Sequence, residues 1–393
     1  MVIKQRGLCL NQDKSVCIIM GSKKQKKSAT LELQDQPLLC GNFVTKEKPQ
    51  VKWLGQILSS LGLADSVLQT IISREGKIRG ACLEIAVIIN DWRAERLGGM
   101  ETALMLWERC CIPSMLHGAG TWIEMNPVAE KRLNSIQCWF VRLIYQIGQG
   151  SPVSALLWDN FLLDMGLRVW VEKVMFIYHL RSLDEDSLAK RTYMQQKEHN
   201  LPGLVLETKK ICQDLKIEDC NETKMSKVDY RLLVVQACHA KNKERILLAA
   251  SNSKCSRIKE ETYGKKSYIG TQNIKNCRSW FRTRFGLTFF AGNYSHSKQY
   301  SKTNWMCRCG LEREEEGHII LGQCEVYSDL RSQFGDLKED KNLVMYFQTV
   351  LDRRDNLEEE DRRQQSSTAA VGARSVSGNG DGTSQPRDDT LYG

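Results

Sequence analysis

Four side chains that can bind a metal ion lie close together in the sequence: Cys307, Cys309, His318 and Cys324. Three cysteines and one histidine complete the tetrahedral ligand set of Zn²⁺, and a site without an open position is structural rather than catalytic. Gly310 follows the first pair, where a positive φ would let the chain turn around an ion. The single residue between Cys307 and Cys309 is a shorter gap than usual. The alternative is three unrelated cysteines in a chain that contains fifteen, but the complete set favours structural Zn²⁺.

A strongly basic segment precedes these four residues. From 226 to 310 the chain carries seventeen lysines and arginines and four acidic residues, within a whole-chain net charge of +9. Tyrosine, tryptophan and phenylalanine residues are interleaved with the cations. Cations suit phosphates and flat rings suit unstacked bases, so the segment predicts binding to RNA or single-stranded DNA. The predicted contact residues are Lys265, Lys266, Lys275, Arg278, Trp280, Arg282, Arg284 and Arg308.

The same composition allows a second interpretation. The basic segment could be a solvated face whose aromatic residues belong to the core, and it would then dock an acidic protein partner. The first residues, 1–27, lack the apolar stretch of a secretory signal, and no apolar run is long enough for a membrane span. We therefore expect no membrane association, a nuclear or cytoplasmic location, and mostly free thiols.

Hydrophobic periodicity predicts a mainly α protein. Short strand-like runs, including Val51–Leu58, precede residue 62, and apolar residues three to four apart predict a helical bundle after it. A polar sequence without apolar clusters predicts a disordered tail at the end. The predicted organisation is β-containing segment 1–62, helical bundle 63–183, basic helical region 184–304, metal site with an acidic helix 305–361, and tail 362–393.

Local signals place several helix boundaries. Asn126-Pro127 predicts an N-cap with proline at the first helical position, and Ser151-Pro152 predicts a second such start for a helix running to Met165. Further helices are predicted over 229–250 and 342–351. The glycine-rich segment Ile112–Trp122 predicts a tightly packed helical corner. His117, inside that segment, is predicted to be a buried, hydrogen-bonded histidine rather than a catalyst.

These segments, taken in order, resemble the C-terminal half of a non-LTR (LINE-type) retrotransposon reverse transcriptase. Leu10-Asn-Gln-Asp-Lys-Ser15 and Val51–Leu58 resemble the end of the palm, Ile112–Trp122 resembles the thumb, and the Cys-Cys-His-Cys set resembles the family's zinc knuckle. The resemblance implies that Lys14 belongs to the loop after the polymerase active site. It also implies that Trp53 and Gly55 form the hairpin that holds the primer end.

The resemblance does not bring the family's catalytic residues with it. The family's metal-binding Asp-Asp hairpin would lie before the Asn-Gln-Asp-Lys turn, and no such pair stands there in this sequence. Because polymerase chemistry needs paired carboxylates around Mg²⁺, we expect a nucleic-acid-binding remnant without polymerase activity and without Mg²⁺. Two alternatives stay open: a helical protein-interaction scaffold, and an incomplete gene model of an active RNA-directed DNA polymerase. A nuclease is disfavoured, because Asp352, Asp355 and Glu358 fit an acidic helix face.

Overall fold

The computed structural model confirms a mainly α protein with a small antiparallel hairpin near the N-terminus. The chain divides into two compact units, Met1–Leu287 and Thr288–Gly393. The structure describes residues 16–18, 39–40, 43–44, 46–90, 99–250, 263–266, 268–271, 273–285, 287, 306–313, 318–319, 324–334, 342, 345–354, 356–357, 359–361 and 363. Among these residues, no helix combines the length and apolar character that a membrane crossing requires.

The N-terminal strands are short and pair locally. Strand β1 (Val16–Cys17) lies parallel to β4 (Lys46–Glu47), and β2 (Leu39–Cys40) lies antiparallel to β3 (Phe43–Val44). The remaining pair, β5 (Gln50–Trp53) and β6 (Gln56–Ser59), is also antiparallel.

The turn between β5 and β6 places both central residues at positive φ, 46° for Leu54 and 80° for Gly55. This is the conformation that a two-residue hairpin of the right twist needs, and glycine adopts it without strain. Val51–Leu58 is therefore part of two strands joined by a tight turn, not the single strand-like run that its pattern predicts, and a hairpin lies where the resemblance implied one, at Trp53 and Gly55. Lys14 lies outside the described residues.

A long helix and a sharp corner follow the hairpin. Helix α1 (Leu63–Asn90) packs on β6. Helix α2 (Gly99–Leu106) then continues through a π-helical turn, Trp107–Cys111, into α3 (Ile112–Met115) and a 3₁₀ turn, Ala119–Thr121.

The corner requires glycine at two positions, because the backbone there has a positive φ or lies close to a neighbouring helix. Gly118 has φ of 73°, and a Cβ on Gly120 would lie 2.7 Å from the Cβ of Phe176 and 3.0 Å from the carbonyl oxygen of Glu172. The predicted close approach is confirmed. The prediction for His117 is wrong, because its side chain is exposed, and its backbone carbonyl accepts a hydrogen bond from Arg74 instead.

Three helices complete the first bundle: α4 (Pro127–Tyr145), α5 (Val153–Asp159) and α6 (Met165–Arg181). The Asn126 side chain accepts a hydrogen bond from the Ala129 N–H, which confirms the predicted cap. The predicted helix from Ser151-Pro152 to Met165 is wrong at both ends. At its start the N-cap is Pro152, which makes no side-chain cap, and the Ser151 hydroxyl donates to the Gly148 carbonyl instead. Phe161, with φ of 52°, breaks the helix, and the Asp164 carboxylate caps the start of α6.

The helices that follow pack onto the same unit. They are α7 (Leu188–Glu198), α8 (Leu204–Leu215), α9 (Lys227–Ala250), α10 (Tyr268–Thr271) and α11 (Ile274–Arg284). Leu167 and Val174 on α6, Ile211 on α8 and Val234 on α9 share one buried apolar cluster. The unit that ends at Leu287 therefore includes helices from the predicted bundle and from the predicted basic region, and helix 229–250 is confirmed.

The C-terminal unit has a small apolar core of its own. It contains a 3₁₀ turn, Glu325–Tyr327, the short helix α12 (Ser328–Gln333), and helical residues over 345–354. Members of its core include Ile319, Tyr346 and Phe347, which are fully buried or nearly so. The predicted helix over 342–351 is confirmed where it is described, and the predicted tail 362–393 lies outside the described residues apart from Arg363.

Candidate metal centre

The four predicted ligands converge at one point of the C-terminal unit. The sulfur atoms of Cys307, Cys309 and Cys324 and a ring nitrogen of His318 all lie within 4.8 Å of one another. Two of these separations are short: 3.4 Å between the sulfurs of Cys307 and Cys324, and 3.1 Å between Cys309 Sγ and His318 Nε2. Four residues that lie within eighteen positions of sequence are thus arranged as a compact tetrad.

A tight turn presents the first two sulfurs. The Cys307 N–H donates to the Glu312 carbonyl and the Gly310 N–H donates to the Cys307 carbonyl, both at 2.8 Å. Gly310 has φ of 73°, as the glycine at this position predicts. Met306 and Arg313 form an antiparallel bridge that closes the turn. The chain therefore bends back on itself so that Cys307 and Cys309 face the same point.

The other two ligands are buried and held from the helical side. His318 is 5% exposed and Cys324 is 1% exposed. The hydroxyl of Tyr346 and the guanidinium of Arg331 each donate to the Ile319 carbonyl at 3.0 Å. These two bonds fix the backbone beside His318, so the imidazole is positioned by the core of the unit.

The second ring nitrogen of His318 faces an acidic side chain. Glu312 Oε2 lies 3.4 Å from His318 Nδ1. The two atoms do not form a hydrogen bond, and Nδ1 has no hydrogen-bond partner among the described residues. Metal-ligating histidines commonly donate their free N–H to a carboxylate, which fixes the tautomer. Glu312 therefore stands where it can orient Nε2 toward an ion.

The protonation of the thiols is uneven without a metal. Burial works against ionisation of Cys309, yet hydrogen bonds from the Leu311 backbone and from His318 outweigh it and lower its pKa to about 7. Burial raises the pKa of Cys307 to about 12 and also raises the pKa of Cys324. Because a metal binds thiolates, occupying the tetrad would release protons from the last two.

Three sulfurs and one imidazole fill a tetrahedral coordination sphere. Such a closed set stabilises a fold and leaves no position for water or substrate. Soft sulfur ligands with one nitrogen suit Zn²⁺ and do not suit Mg²⁺ or Ca²⁺, which prefer oxygen. The tetrad could hold a metal ion, and its chemistry is that of a structural centre.

On α11, most of the residues that were predicted to contact nucleic acid bind other parts of the same unit instead. Trp280 is 6% exposed and Arg278 is 8% exposed. Arg278 donates to the Ile144 carbonyl, and Arg282 donates to the carbonyls of Tyr145 and Gln146. These side chains fasten α11 to the end of α4, so a base or phosphate could reach Trp280 or Arg278 only after α11 moved.

Arg284 makes the strongest of these internal contacts. Its Nε and Nη2 donate to the two carboxylate oxygens of Asp159, at 2.9 and 3.0 Å. Asp159 is fully buried, and its carboxylate also accepts from the Tyr268 hydroxyl at 2.8 Å. Sequence analysis missed Asp159, because nothing near it in sequence marks it as the partner of a distant arginine.

The remaining predicted contacts are more accessible. Lys275 is exposed, Lys266 is partly exposed, and Lys265 is exposed but forms an ion pair with Glu101. Arg308, between two of the ligand cysteines, is paired with Asp361 at 2.7 Å. Several of the eight predicted contact residues are thus buried or paired within their own unit, and the role of the set in nucleic-acid binding stays a prediction.

A second group of potential ligands was not predicted. Cys212, Asp219 and Cys220 lie within 4.8 Å of one another in the first unit. Asp219 Oδ1 already accepts hydrogen bonds from the backbone and side chain of Asn221, so it serves to cap a turn. The group is a buried thiol pair beside a turn rather than a complete ligand set.

Comparisons with protein-family models, with curated proteins and with solved structures find no match to this chain. Its fold and its candidate site must therefore be interpreted from their own geometry.

Proposed function

We propose that this protein binds RNA or single-stranded DNA without catalysing a reaction, and that one Zn²⁺ stabilises its C-terminal unit. The observation that carries the proposal is the convergence of Cys307, Cys309, His318 and Cys324 on one point. Of the common metals, Zn²⁺ fits three thiolates and an imidazole in tetrahedral geometry best.

The C-terminal unit has physical reasons to depend on the ion. Its described core is small, and two members of that core, Cys307 and Cys324, are themselves ligands. A folded core below about 40 residues usually needs a metal, a disulfide or oligomerisation to be stable. Binding of Zn²⁺ to such a ligand set supplies on the order of 10 kcal/mol. Without the ion, the buried thiols of Cys307 and Cys324 would have a weak S–H hydrogen bond between them, with 3.4 Å between the sulfurs, in place of metal ligation.

Nucleic-acid binding is supported by charge and by the class of metal module. The chain carries a net charge of +9, and Lys227, Lys243 and Lys275 are exposed on helices of the first unit. An excess of exposed cations releases counterions from a phosphate backbone and drives sequence-independent binding. Small Cys/His zinc modules are a recurrent way to present side chains to RNA.

Descent from a LINE-type reverse transcriptase is part of the same proposal. What supports it is the order of the segments: a hairpin at Trp53 and Gly55, a helical bundle with the corner at Ile112–Trp122, and then the Cys-Cys-His-Cys set. Among these segments no pair of adjacent aspartates precedes the hairpin. Charge and the metal tetrad support binding, and none of these segments supplies the paired carboxylates that polymerisation needs, so the proposed role is binding rather than polymerisation.

The proposal is tested by measuring the affinity of the whole chain for a fluorescent single-stranded RNA at several salt concentrations. We expect affinity to fall by at least about tenfold between low and physiological salt. Cys307→Ser should weaken binding further, because the unit loses its ion, whereas Cys110→Ser changes an exposed thiol outside the tetrad and should not. Binding that is undetectable at low salt, or independent of salt, would instead favour docking of an acidic protein.

A further inference from the structure

A cavity of about 580 Å³ opens between α1 and α4 in the first unit. Arg79, Trp139, Arg142, Gln146 and Gln149 contribute polar or aromatic groups to its wall, and none of the described residues that line it carries a carboxylate. Its volume lies within the range of about 300–1,000 Å³ that small-molecule pockets occupy. None of these residues takes part in the metal centre.

The wall of the cavity carries excess positive charge. Arg79 donates to Glu75 at 2.8 Å, and the same Glu75 carboxylate also binds Arg132 at 2.7 Å. One negative charge thus serves two guanidinium groups. Arg142 is the second cation of the wall, since Arg132 is not among the lining residues, and it has no carboxylate partner in the described part of the chain. An anion that entered the cavity would meet a net positive wall.

Arg142 also has hydrogen-bonding capacity to spare. Its Nη2 donates to the Ser151 carbonyl at 2.8 Å, but its Nε is buried and has no partner among the described residues. A buried donor without an acceptor is unfavourable, and a bound oxygen is a common explanation. A phosphate oxygen is the acceptor that a guanidinium binds most strongly.

An aromatic ring and a planar guanidinium line the cavity together with Arg142. The guanidinium carbon of Arg79 lies 4.5 Å from the centre of the Trp139 ring, and both side chains line the cavity. Bases of single-stranded nucleic acids stack on aromatic rings and on arginine planes. Gln146, held at φ of 53° where α4 ends, and Gln149 supply amide donors and acceptors that suit base edges.

We propose that this cavity binds a nucleoside 5′-phosphate, with the phosphate at Arg142 and the base beside Arg79 and Trp139. The inference rests on the proposed function where the nucleotide is one unit of a single strand. A free mononucleotide has the same chemistry and would use the same contacts.

The test uses the full chain and four probes: adenosine 5′-phosphate, adenosine, inorganic phosphate, and a single-stranded RNA with a photoreactive uridine. We expect the nucleotide to bind at least about tenfold more tightly than adenosine or inorganic phosphate, since each of those lacks one half of the contacts. We also expect ultraviolet crosslinks in the tryptic peptide 133–142, which contains Trp139.

Arg79→Gln has a matched control. Arg245 also covers a tryptophan, at 5.5 Å from the centre of Trp170, and is similarly exposed and ion-paired, but it lies outside the cavity. We expect Arg79→Gln and Arg142→Gln to weaken nucleotide binding at least about tenfold, and Arg245→Gln to leave it unchanged. The crosslink on the unaltered chain keeps the inference testable if a variant fails to fold.

Several outcomes separate this inference from the proposed function. If the RNA binds but the peptide 133–142 stays unlabelled and the three variants behave alike, the cavity assignment is overturned while nucleic-acid binding stands. If the nucleotide binds at the cavity and the RNA does not bind at all, the proposed function fails and the ligand is a free nucleotide. Equal affinity for inorganic phosphate and nucleotide would overturn recognition of the base.

Discussion

Replacing Arg284 separates a structural role from the nucleic-acid role that sequence predicts. Arg284→Gln removes from the fully buried Asp159 a guanidinium that donates to both carboxylate oxygens, while the Tyr268 hydroxyl still donates to that carboxylate. Removing one partner of a buried ion pair costs about 3–5 kcal/mol, because the other charge is left uncompensated. The Arg284 side chain is 14% exposed, so solvent reaches part of the pair and the lower end, about 3 kcal/mol, is expected.

The assay is thermal unfolding of the zinc-loaded chain, followed by far-ultraviolet circular dichroism. A loss of about 3 kcal/mol corresponds to a fall in Tm of roughly 6–12 °C for a unit of this size. Lys275→Gln is the control, because it removes an exposed lysine on the same helix, and substitutions of that kind stay within about 0.5 kcal/mol. Adding Asp159→Asn to Arg284→Gln should recover part of the loss, since the buried charge is then gone.

Refutation would be direct. If Arg284→Gln costs no more than Lys275→Gln, the ion pair with Asp159 does not support the fold. A loss of RNA affinity without a loss of stability would return Arg284 to the nucleic-acid surface that its sequence context predicts.

Three further predictions test other parts of the molecule. Gly120→Ala should destabilise the chain by about 1–3 kcal/mol, because the new Cβ meets Phe176 and a backbone oxygen; Gly148→Ala, which meets nothing within 4 Å, should not, and equal Tm values would contradict the tight corner. Burial lowers the pKa of His239 below its ordinary 6.5. Its contribution to the free energy of unfolding is therefore present above pH 6.5 and lost as the pH falls toward the lowered value. The free energy of unfolding of His239→Gln should decline less steeply in acid than that of the unaltered chain, and parallel declines would refute this. The purified chain should incorporate no nucleotide on a primed RNA template; incorporation above a heat-killed control would overturn the non-enzyme proposal.

The features that could be predicted from the sequence are those that neighbouring residues determine, such as a helix cap or a helix. The side-chain cap at Asn126 and the helix Lys227–Ala250 follow from capping and periodicity. The hairpin turn at Leu54 and Gly55 did not follow from the local pattern, which indicated one strand; only the family resemblance implied it. The metal tetrad was also predictable, because its four ligand types lie close together in sequence and are themselves the signal.

The predictions that were wrong concern positions where distant residues or competing local signals determine the structure. The stretch from Ser151 to Met165 has the apolar spacing of one helix, but Asp164 is a better cap for the next helix than an interior residue. His117 lies in a close-packed corner, yet only its backbone is used there.

Distant partners in the fold account for two of the basic residues that sequence composition predicted as nucleic-acid contacts. Arg278 and Arg284 bind a carbonyl and a carboxylate more than a hundred residues away, and no local pattern announces such partners. The cavity beside Trp139 was missed for the same reason, since its arginines belong to two helices far apart in sequence. Charge composition alone therefore indicated an electrostatic tendency but not the surface that carries it.

The metal content of the intact chain tests the central proposal most directly. Protein prepared without chelator should contain one zinc per chain, and its X-ray absorption should show three sulfur neighbours at about 2.3 Å and one nitrogen at about 2.0–2.1 Å. Cys307→Ser should lose the metal and expose 306–334 to protease, whereas Cys110→Ser should retain it. A chain without zinc, or a coordination sphere of nitrogen and oxygen alone, would contradict the assignment of Cys307, Cys309, His318 and Cys324 as a structural zinc centre.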